Sequence, residues 1–228
     1  MQSDLTLIYY TDNKLLEPFA SNIRKHLTDL AKNKFPIISV TQKPVDLGKN
    51  ICVGEIGSSI YNCAVQIMTG VENAKTKFIA CCEHDMLYPI EHFEYRPLSL
   101  EIFSYNINRW TVEPSGVFRW RNRATMSTCI VSRQLMLETL QAKFKKFTKE
   151  TTDPNPFHIW SEPGRHEKEI GMPRISYERR MHCKVPIVTF THRNSLGGMR
   201  KWRPEKDKFE TDLPPWGNAK ELWRKMHV

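Results

Sequence analysis

The 228-residue sequence predicts an α/β fold with a mostly parallel central sheet flanked by helices, followed by an irregular C-terminal region. Three observations predict it. Short apolar runs at 5–10, 36–42 and 77–82 each stop abruptly at polar residues. Stretches with a helical apolar period separate those runs, and a strand-helix-strand order implies right-handed crossovers between parallel neighbours. Beyond residue 90 the alternation breaks down and proline and glycine accumulate, which predicts the irregular part.

The elements follow in order. "LTLIYY" (5–10) is β-rich and ends at Thr11-Asp12-Asn13, a buried strand running into a polar loop. From Leu15 to Lys32, the apolar residues Leu15, Leu16, Phe19, Ile23, Leu27, Leu30 and Ala31 keep a helical period. "PIISVTQ" (36–42) is a second strand, and Pro44, Gly48 and Asn50 mark the loop after it. Ser58 or Ser59 caps a helix running to about Glu72, with Ile60, Ala64, Ile67, Met68 and Val71 on its inner face. "KFIACC" is a third short strand. "TMSTCIVSR" (125–133) reads as another, followed by a helix over 134–147. Residues 150–175, with Pro154, Pro156, Pro163, Gly164, Gly171 and Pro173, read as a long loop. "VPIVTFTHRN" (185–194) is a late strand ending in His192, and a short amphipathic helix is expected near 218–226.

A hydrophobic content of 40% with 11% aromatic residues supplies a core and excludes wholesale disorder. No apolar run approaches the roughly 18–20 residues that span a bilayer. "MQSDLTLIYYTDN" lacks the basic and apolar regions of a signal peptide, so a cytoplasmic location is expected. The six cysteines, Cys52, Cys63, Cys81, Cys82, Cys129 and Cys183, form no CxxC pair. Neighbouring Cys81 and Cys82 on a strand point to opposite faces, so reduced thiols are expected. A net charge of +9 points to a polyanionic partner, either a phosphate-bearing cofactor or nucleic acid. Neither "LGKN" nor "SLGG" matches a phosphate-cradling glycine loop, and no G-x-S-x-G elbow occurs.

In a parallel sheet, ligands bind beyond the carboxyl ends of the strands. Thr11-Asp12, Gln42 and Glu83-His84-Asp85 sit at those ends and are expected along one edge. Along an extended backbone Glu83 and Asp85 face one side and His84 the other. Two hard oxygen donors on one side suit Mg²⁺ or Mn²⁺ bridging a diphosphate.

With these residues in view, "GSSIYNCAVQIMTGVENAKTKFIACCEHDMLYP" (57–89) resembles the core of GT-A fold glycosyltransferases, where such a helix and strand precede a D-x-D-type motif. "LIYYTDN" is similar to their first strand and donor loop, and "VTFTHRNSLGGMR" (188–200) to a C-terminal strand whose histidine often completes a metal site. Glu83-His84-Asp85 departs from the commonest form, which has two aspartates. The resemblance implies a Rossmann-type, GT-A-like single domain. Residues 1–90 would bind a nucleotide sugar, 91–200 the acceptor, and 201–228 would form a basic tail. It implies Asp85 as a metal ligand, Glu83 as a ligand or ribose contact, and His192 as a third ligand. Thr11 and Asp12 would hold the nucleoside of a UDP-sugar, with Gln42 and Asp46 nearby and Gln66 near the diphosphate. A general base is expected in "DPNPFHIWSEPGRHEKEIG" (153–171), which supplies Asp153, Glu162, Glu167 and Glu169; Glu162, beside Trp160, is favoured, and such a base implies inversion.

For the acceptor, "FRWRNR" (118–123) and "RNSLGGMRKWRPEK" (193–206) alternate aromatic and basic residues. Arg119, Arg121, Arg123, Arg200, Lys201 and Arg203 would pair with phosphates, and Trp120 or Trp202 would fill the gap left by an extruded base. This is compatible with small bacteriophage-encoded transferases that glycosylate hydroxymethylated pyrimidines in double-stranded DNA. The alternatives are a transferase acting on a glycan precursor or protein, a non-catalytic nucleic-acid-binding module, and a metal nuclease.

Overall fold

The computed structural model describes residues 3–32, 34–194 and 208–228. The first half of the chain contains β1 (Leu5–Thr11), α1 (Phe19–Ala31), β2 (Ile37–Thr41), β3 (Lys49–Cys52), α2 (Ile60–Asn73) and β4 (Phe78–Glu83). Next come β5 (Met86–Leu87), α3 (Ile90–Glu94), β6 (Ile102–Asn106), β7 (Arg109–Val112), β8 (Phe118–Trp120) and β9 (Cys129–Ser132). They are followed by α4 (Arg133–Lys146), α5 (Pro156–Trp160), β10 (Ser176–Met181) and β11 (Ile187–Phe190). The last described elements are β12 (Phe209–Glu210), β13 (Asp212–Leu213), β14 (Gly217–Asn218) and α6 (Ala219–His227).

The main sheet has the order β10-β6-β9-β4-β1-β2-β3. Neighbours β4, β1, β2 and β3 are all parallel, while β9 runs antiparallel between β4 and β6. A second sheet, β12-β8-β7-β11-β5, lies next to it in the chain path. Three connections step directly from one sheet to the other: β4 to β5, β6 to β7, and β10 to β11. Each handover takes only a few residues, so the carboxyl end of β4 is forced against the second sheet. That junction is what positions the site.

The core follows from strand alternation. Ile8, Tyr10, Val40 and Cys81 pack with Ala64, Ile67 and Val71 of α2, while Leu7, Tyr9 and Cys82 pack with Leu27 and Ala31 of α1 on the other face. Cys81 and Cys82 thus occupy opposite faces, and all six thiols are free. Ser59 caps α2, its Oγ accepting from the Asn62 N–H at 3.0 Å. One close approach fixes α2 on the sheet: a Cβ on Gly70 would stand 2.4 Å from Cγ2 of Ile8, which is fully buried. Gly70→Ala is therefore expected to lower unfolding free energy by about 1–3 kcal/mol, measured by urea denaturation.

Four expectations are corrected in detail. The first helix starts at Phe19, because Pro18 precedes it and restricts the backbone before it; the Leu16 side chain is 81% exposed and outside the core, and only its carbonyl, accepting from the Ala20 N–H, touches the helix. The segment after β2 contains β3, whose half-exposed "KNIC" has no apolar alternation to announce it and which forms by pairing with β2 as an edge strand. Residues Met126–Thr128 form a 3-10 turn, so the strand within 125–133 is only Cys129–Ser132. The expected loop at 150–175 includes α5, started by Asn155, whose Oδ1 accepts from Phe157 N–H at 2.9 Å, with Pro156 in the first turn.

His92 is fully buried, stacked on Tyr88 with ring centroids 5.4 Å apart, and neither ring nitrogen has a hydrogen-bond partner among the described residues. Burial pushes its pKa down to about 3. The unfolded chain takes up this proton near the ordinary value of 6.5 and the folded chain does not, so stability is lost as pH falls from 6.5 towards 3. The expected slope from this group is at most about 1.4 kcal/mol per pH unit. His92→Phe should flatten that part of the acid limb in pH-dependent urea unfolding.

Candidate active site

A cleft of about 600 Å³ opens at the carboxyl ends of β1 and β4. Its floor carries Thr11, Asp12, Glu83, His84 and Asp85, one wall is the approach to α2, and β7, β8 and the end of α5 form the other walls. Tyr10 and Glu83 are register partners across β1 and β4, and the Tyr10 hydroxyl donates to Glu83 Oε1 at 3.0 Å. The strand ends there. His84 and Asp85 form a two-residue turn into β5, and the Phe190 N–H donates to the Asp85 carbonyl at 2.8 Å.

This turn corrects the orientation expected for His84. Alternation stops with the strand at Glu83, so His84 is not turned away: its ring lines the cleft, with Nδ1 2.7 Å from Thr11 Oγ1 and 4.0 Å from Asp12 Oδ1. β11 also ends earlier than expected, at Phe190, and the next residues carry His192 over the turn. His192 Nε2 lies 3.3 Å from Asp85 Oδ2. The His84 and His192 rings are 5.5 Å apart, so two histidines frame Asp85.

Where Asp85 meets His192, Asp85 Oδ1 and His192 Nδ1 are buried without a hydrogen-bond partner among the described residues, as is Arg109 Nε on the neighbouring wall. Such orphans cost about 1–3 kcal/mol each unless something else satisfies them. Electrostatics point the same way. Burial, and then the Asp85 charge, push the Glu83 carboxyl up to about 7, against the Tyr10 hydrogen bond and the Arg109 cation. Burial lowers the His84 imidazole below its ordinary range and pushes Arg109 down to about 10, Glu83 opposing the latter. Carboxylates crowded in a buried site, with the His84 imidazole held towards the neutral form and His192 Nε2 facing Asp85, make a donor set of oxygens and nitrogens that fits a divalent cation.

The other residues expected at the site do not all reach the cleft. Thr11, Asp12 and Glu162 line the cleft; Asp12 accepts from the Ser58 hydroxyl, and Glu162, 7% exposed, is 3.2 Å from Arg165 Nη1. Gln66 lines it too, but its amide nitrogen donates to the carbonyls of Thr11 and Val40, both at 2.8 Å, tying together the ends of β1 and β2. Gln42 holds the Gly57 backbone through both amide atoms, at 2.7 and 3.0 Å, behind the cleft wall. Asp46 and Asp153 are exposed and are not among the cleft-lining residues. Glu167 is buried against Lys143, with Nζ 3.3 Å from Oε1. Trp160 lines the cleft and packs edge-on against Tyr61, centroids 4.9 Å apart, and Phe157, 41% exposed, stands at the rim.

On β8 and beyond it, Arg119, Arg121 and Arg123 line the cleft. Arg119 is buried and ion-paired, with Nε 3.0 Å from Glu113 Oε1. Trp120 is half-buried beneath Lys208, whose Nζ is 5.3 Å from the ring centroid, and does not line the cleft. Arg200, Lys201, Trp202 and Arg203 lie outside the described residues. Arg109 escaped the sequence reading. It starts β7 in an ordinary β run, and only the handover from β6 brings it, 9% exposed, beside Glu83, with Nη1 donating to Thr189 Oγ1 at 3.1 Å.

No protein-family model matches the chain, and no curated protein does. Among solved structures it is similar to a glycosyltransferase involved in glycosylation of the major capsid of PBCV-1, at 10% identity and TM-score 0.49, over 81% of this chain and 92% of that one. It is similar to a Drosophila β-1,4-galactosyltransferase 7 mutant in complex with manganese, UDP-Gal and xylobiose, at 12% identity and TM-score 0.44, over 89% and 77%. It is also similar to the inositol-1-phosphate CTP transferase from T. maritima, at 12% identity and TM-score 0.45, over 99% and 98%. Likenesses this distant carry no functional argument.

Proposed function

We propose that the cleft transfers a sugar from a nucleoside-diphosphate sugar, a UDP-sugar in the first instance, to an acceptor hydroxyl. The observation that carries this reading is the meeting of Asp85, in the turn between β4 and β5, with His192, just beyond β11, which leave one buried, unpartnered donor atom each. Asp85, His192 and Glu83 are the residues that would hold Mn²⁺ or Mg²⁺. When bound, the ion supplies Lewis-acid stabilisation of the charge on a departing nucleoside diphosphate.

The chain's own groups do the rest. Thr11 and Asp12, at the end of β1, offer hydrogen bonds to the nucleoside. Of Asp153, Glu162, Glu167 and Glu169, Glu162 alone lines the cleft, and it takes the proton from the acceptor hydroxyl; attack opposite the leaving group gives inversion. Exposed Arg123 and half-buried Arg121 make the β8 wall basic and favour an anionic acceptor. Double-stranded DNA bearing hydroxymethylated pyrimidines is the acceptor we test first. Among the described residues no helix is long and apolar enough to cross a membrane.

The experiment is a panel of nucleotide sugars with Mn²⁺, with and without hydroxymethylated DNA. Free nucleoside diphosphate should appear with one donor. With the right acceptor, a sugar should appear on it by mass, and with DNA the rate should fall steeply as salt rises. Transfer to a glycan or protein but not to DNA would remove the DNA acceptor alone. Release of pyrophosphate, or DNA binding with no sugar consumed, would overturn sugar transfer.

A further inference from the structure

The second sheet has two unlike faces. Trp110, Val112, Phe118 and Val188 pack into one apolar cluster, so the residues that alternate with them, Arg109, Thr111, Arg119 and Thr189, face the cleft. The pairing of Trp110 with Trp120 continues one step to set Arg121 opposite Arg109, and the Arg121 N–H donates to the Arg109 carbonyl at 2.7 Å. Both side chains line the cleft, and like charges directly opposite one another on a sheet are destabilising. Arg109 is 9% exposed; its Nη1 donates to the neutral Thr189 hydroxyl at 3.1 Å, and its Nε has no hydrogen-bond partner among the described residues. Burial brings its pKa down to about 10, Glu83 opposing the fall and the Arg121 and Arg123 charges adding to it, so the buried group is a cation at neutral pH. A buried cation with an unused donor is destabilising until an anion meets it.

We propose that Arg109 and Arg121 form a receptor for a phosphate group carried by the acceptor, a step that rests on the sugar-transfer reading of the cleft. With Nη1 held by Thr189, the edge of the Arg109 guanidinium that bears Nε is the one presented to two phosphate oxygens, and Arg121 meets the same group from the neighbouring strand. The place of the receptor separates it from the donor. In the sheet order, β7 and β8 lie two and three strands from β5, about 10 and about 14 Å from the Asp85 turn at the usual strand spacing. A phosphate held between these arginines is therefore a different one from the diphosphate assigned to Asp85 and His192. The acceptor is then a molecule that carries a phosphate close to the hydroxyl that receives the sugar.

The test is thermal unfolding of the full chain with UDP and Mg²⁺ at saturation, which fills the donor site, titrated with inorganic phosphate against sodium chloride of equal ionic strength. Phosphate should raise the unfolding temperature of the parent beyond the chloride control. Arg109→Gln and Arg121→Gln should each weaken phosphate binding by about tenfold while leaving UDP titrations unchanged. Should Arg109→Gln fail to fold, the half-buried Arg121 carries the same test. No protection of the parent, or equal protection of the parent and the folded variants, would overturn the receptor. Phosphate binding that vanishes once UDP is present would give the arginines to the donor diphosphate and overturn the acceptor assignment. A chain that takes up phosphate through these arginines but binds no UDP would instead remove the sugar-transfer reading and leave the receptor standing.

Discussion

Asp85→Ala is expected to lower donor turnover by about a thousandfold or more, equivalent to about 4 kcal/mol of transition-state stabilisation. It removes the unpartnered Oδ1 and the Oδ2 that faces His192 Nε2 at 3.3 Å. The fold should survive, because what ties this turn to β11 is the Asp85 carbonyl accepting from the Phe190 N–H, which any residue supplies. The variant should also lose the Mn²⁺ dependence of UDP binding in calorimetric titrations, while circular dichroism and unfolding midpoint stay close to the parent. A variant that bound UDP with unchanged affinity and unchanged Mn²⁺ dependence would remove Asp85 from the metal site.

Glu162→Gln is expected to cut turnover by about 10²–10⁴-fold while leaving donor affinity nearly unchanged. The distinction follows from position. Glu162 stands just after α5, across the cleft from the strand ends that carry the acidic cluster, and its partner is Arg165 at 3.2 Å rather than any group of the donor floor. A base acts on the acceptor hydroxyl, so its loss should appear in kcat with saturating donor and not in the donor KM. Asp153→Asn, at an exposed position outside the cleft lining, should leave turnover within about twofold. Turnover surviving in Glu162→Gln but lost in Asp153→Asn would reverse the assignment.

The parts of the fold legible in the sequence are those where burial acts on both faces at once. "LTLIYY", "PIISVTQ" and "KFIACC" are apolar runs because β1, β2 and β4 are covered on each side, and their polar stops marked the edge where Thr11, Asp12 and Asp85 gather. Elements fixed by long-range pairing were not legible. β3 is stabilised by β2 rather than by its own pattern, and α5 is only five residues long among prolines.

The site divides the same way. Asp85 and His192 could be matched because each follows the end of an apolar strand by two residues. His84 could not, since its orientation depends on β4 stopping at Glu83 and the chain turning into the second sheet. Arg109 left no local signal, because its nearness to Glu83 arises from the passage of β6 into β7. Arg119 looked available for phosphate from its aromatic-basic surroundings, but its partner Glu113 lies across the hairpin joining β7 to β8 and becomes apparent only once those strands pair.

The central claim is that Asp85 and His192 build a cation-diphosphate site. Crystals of the full chain grown with Mn²⁺ and UDP, measured near the manganese absorption edge, test it most directly. The expected result is an anomalous peak at ligating distance from Asp85 and His192, in contact with the UDP diphosphate. UDP bound in the cleft without a peak there would contradict it.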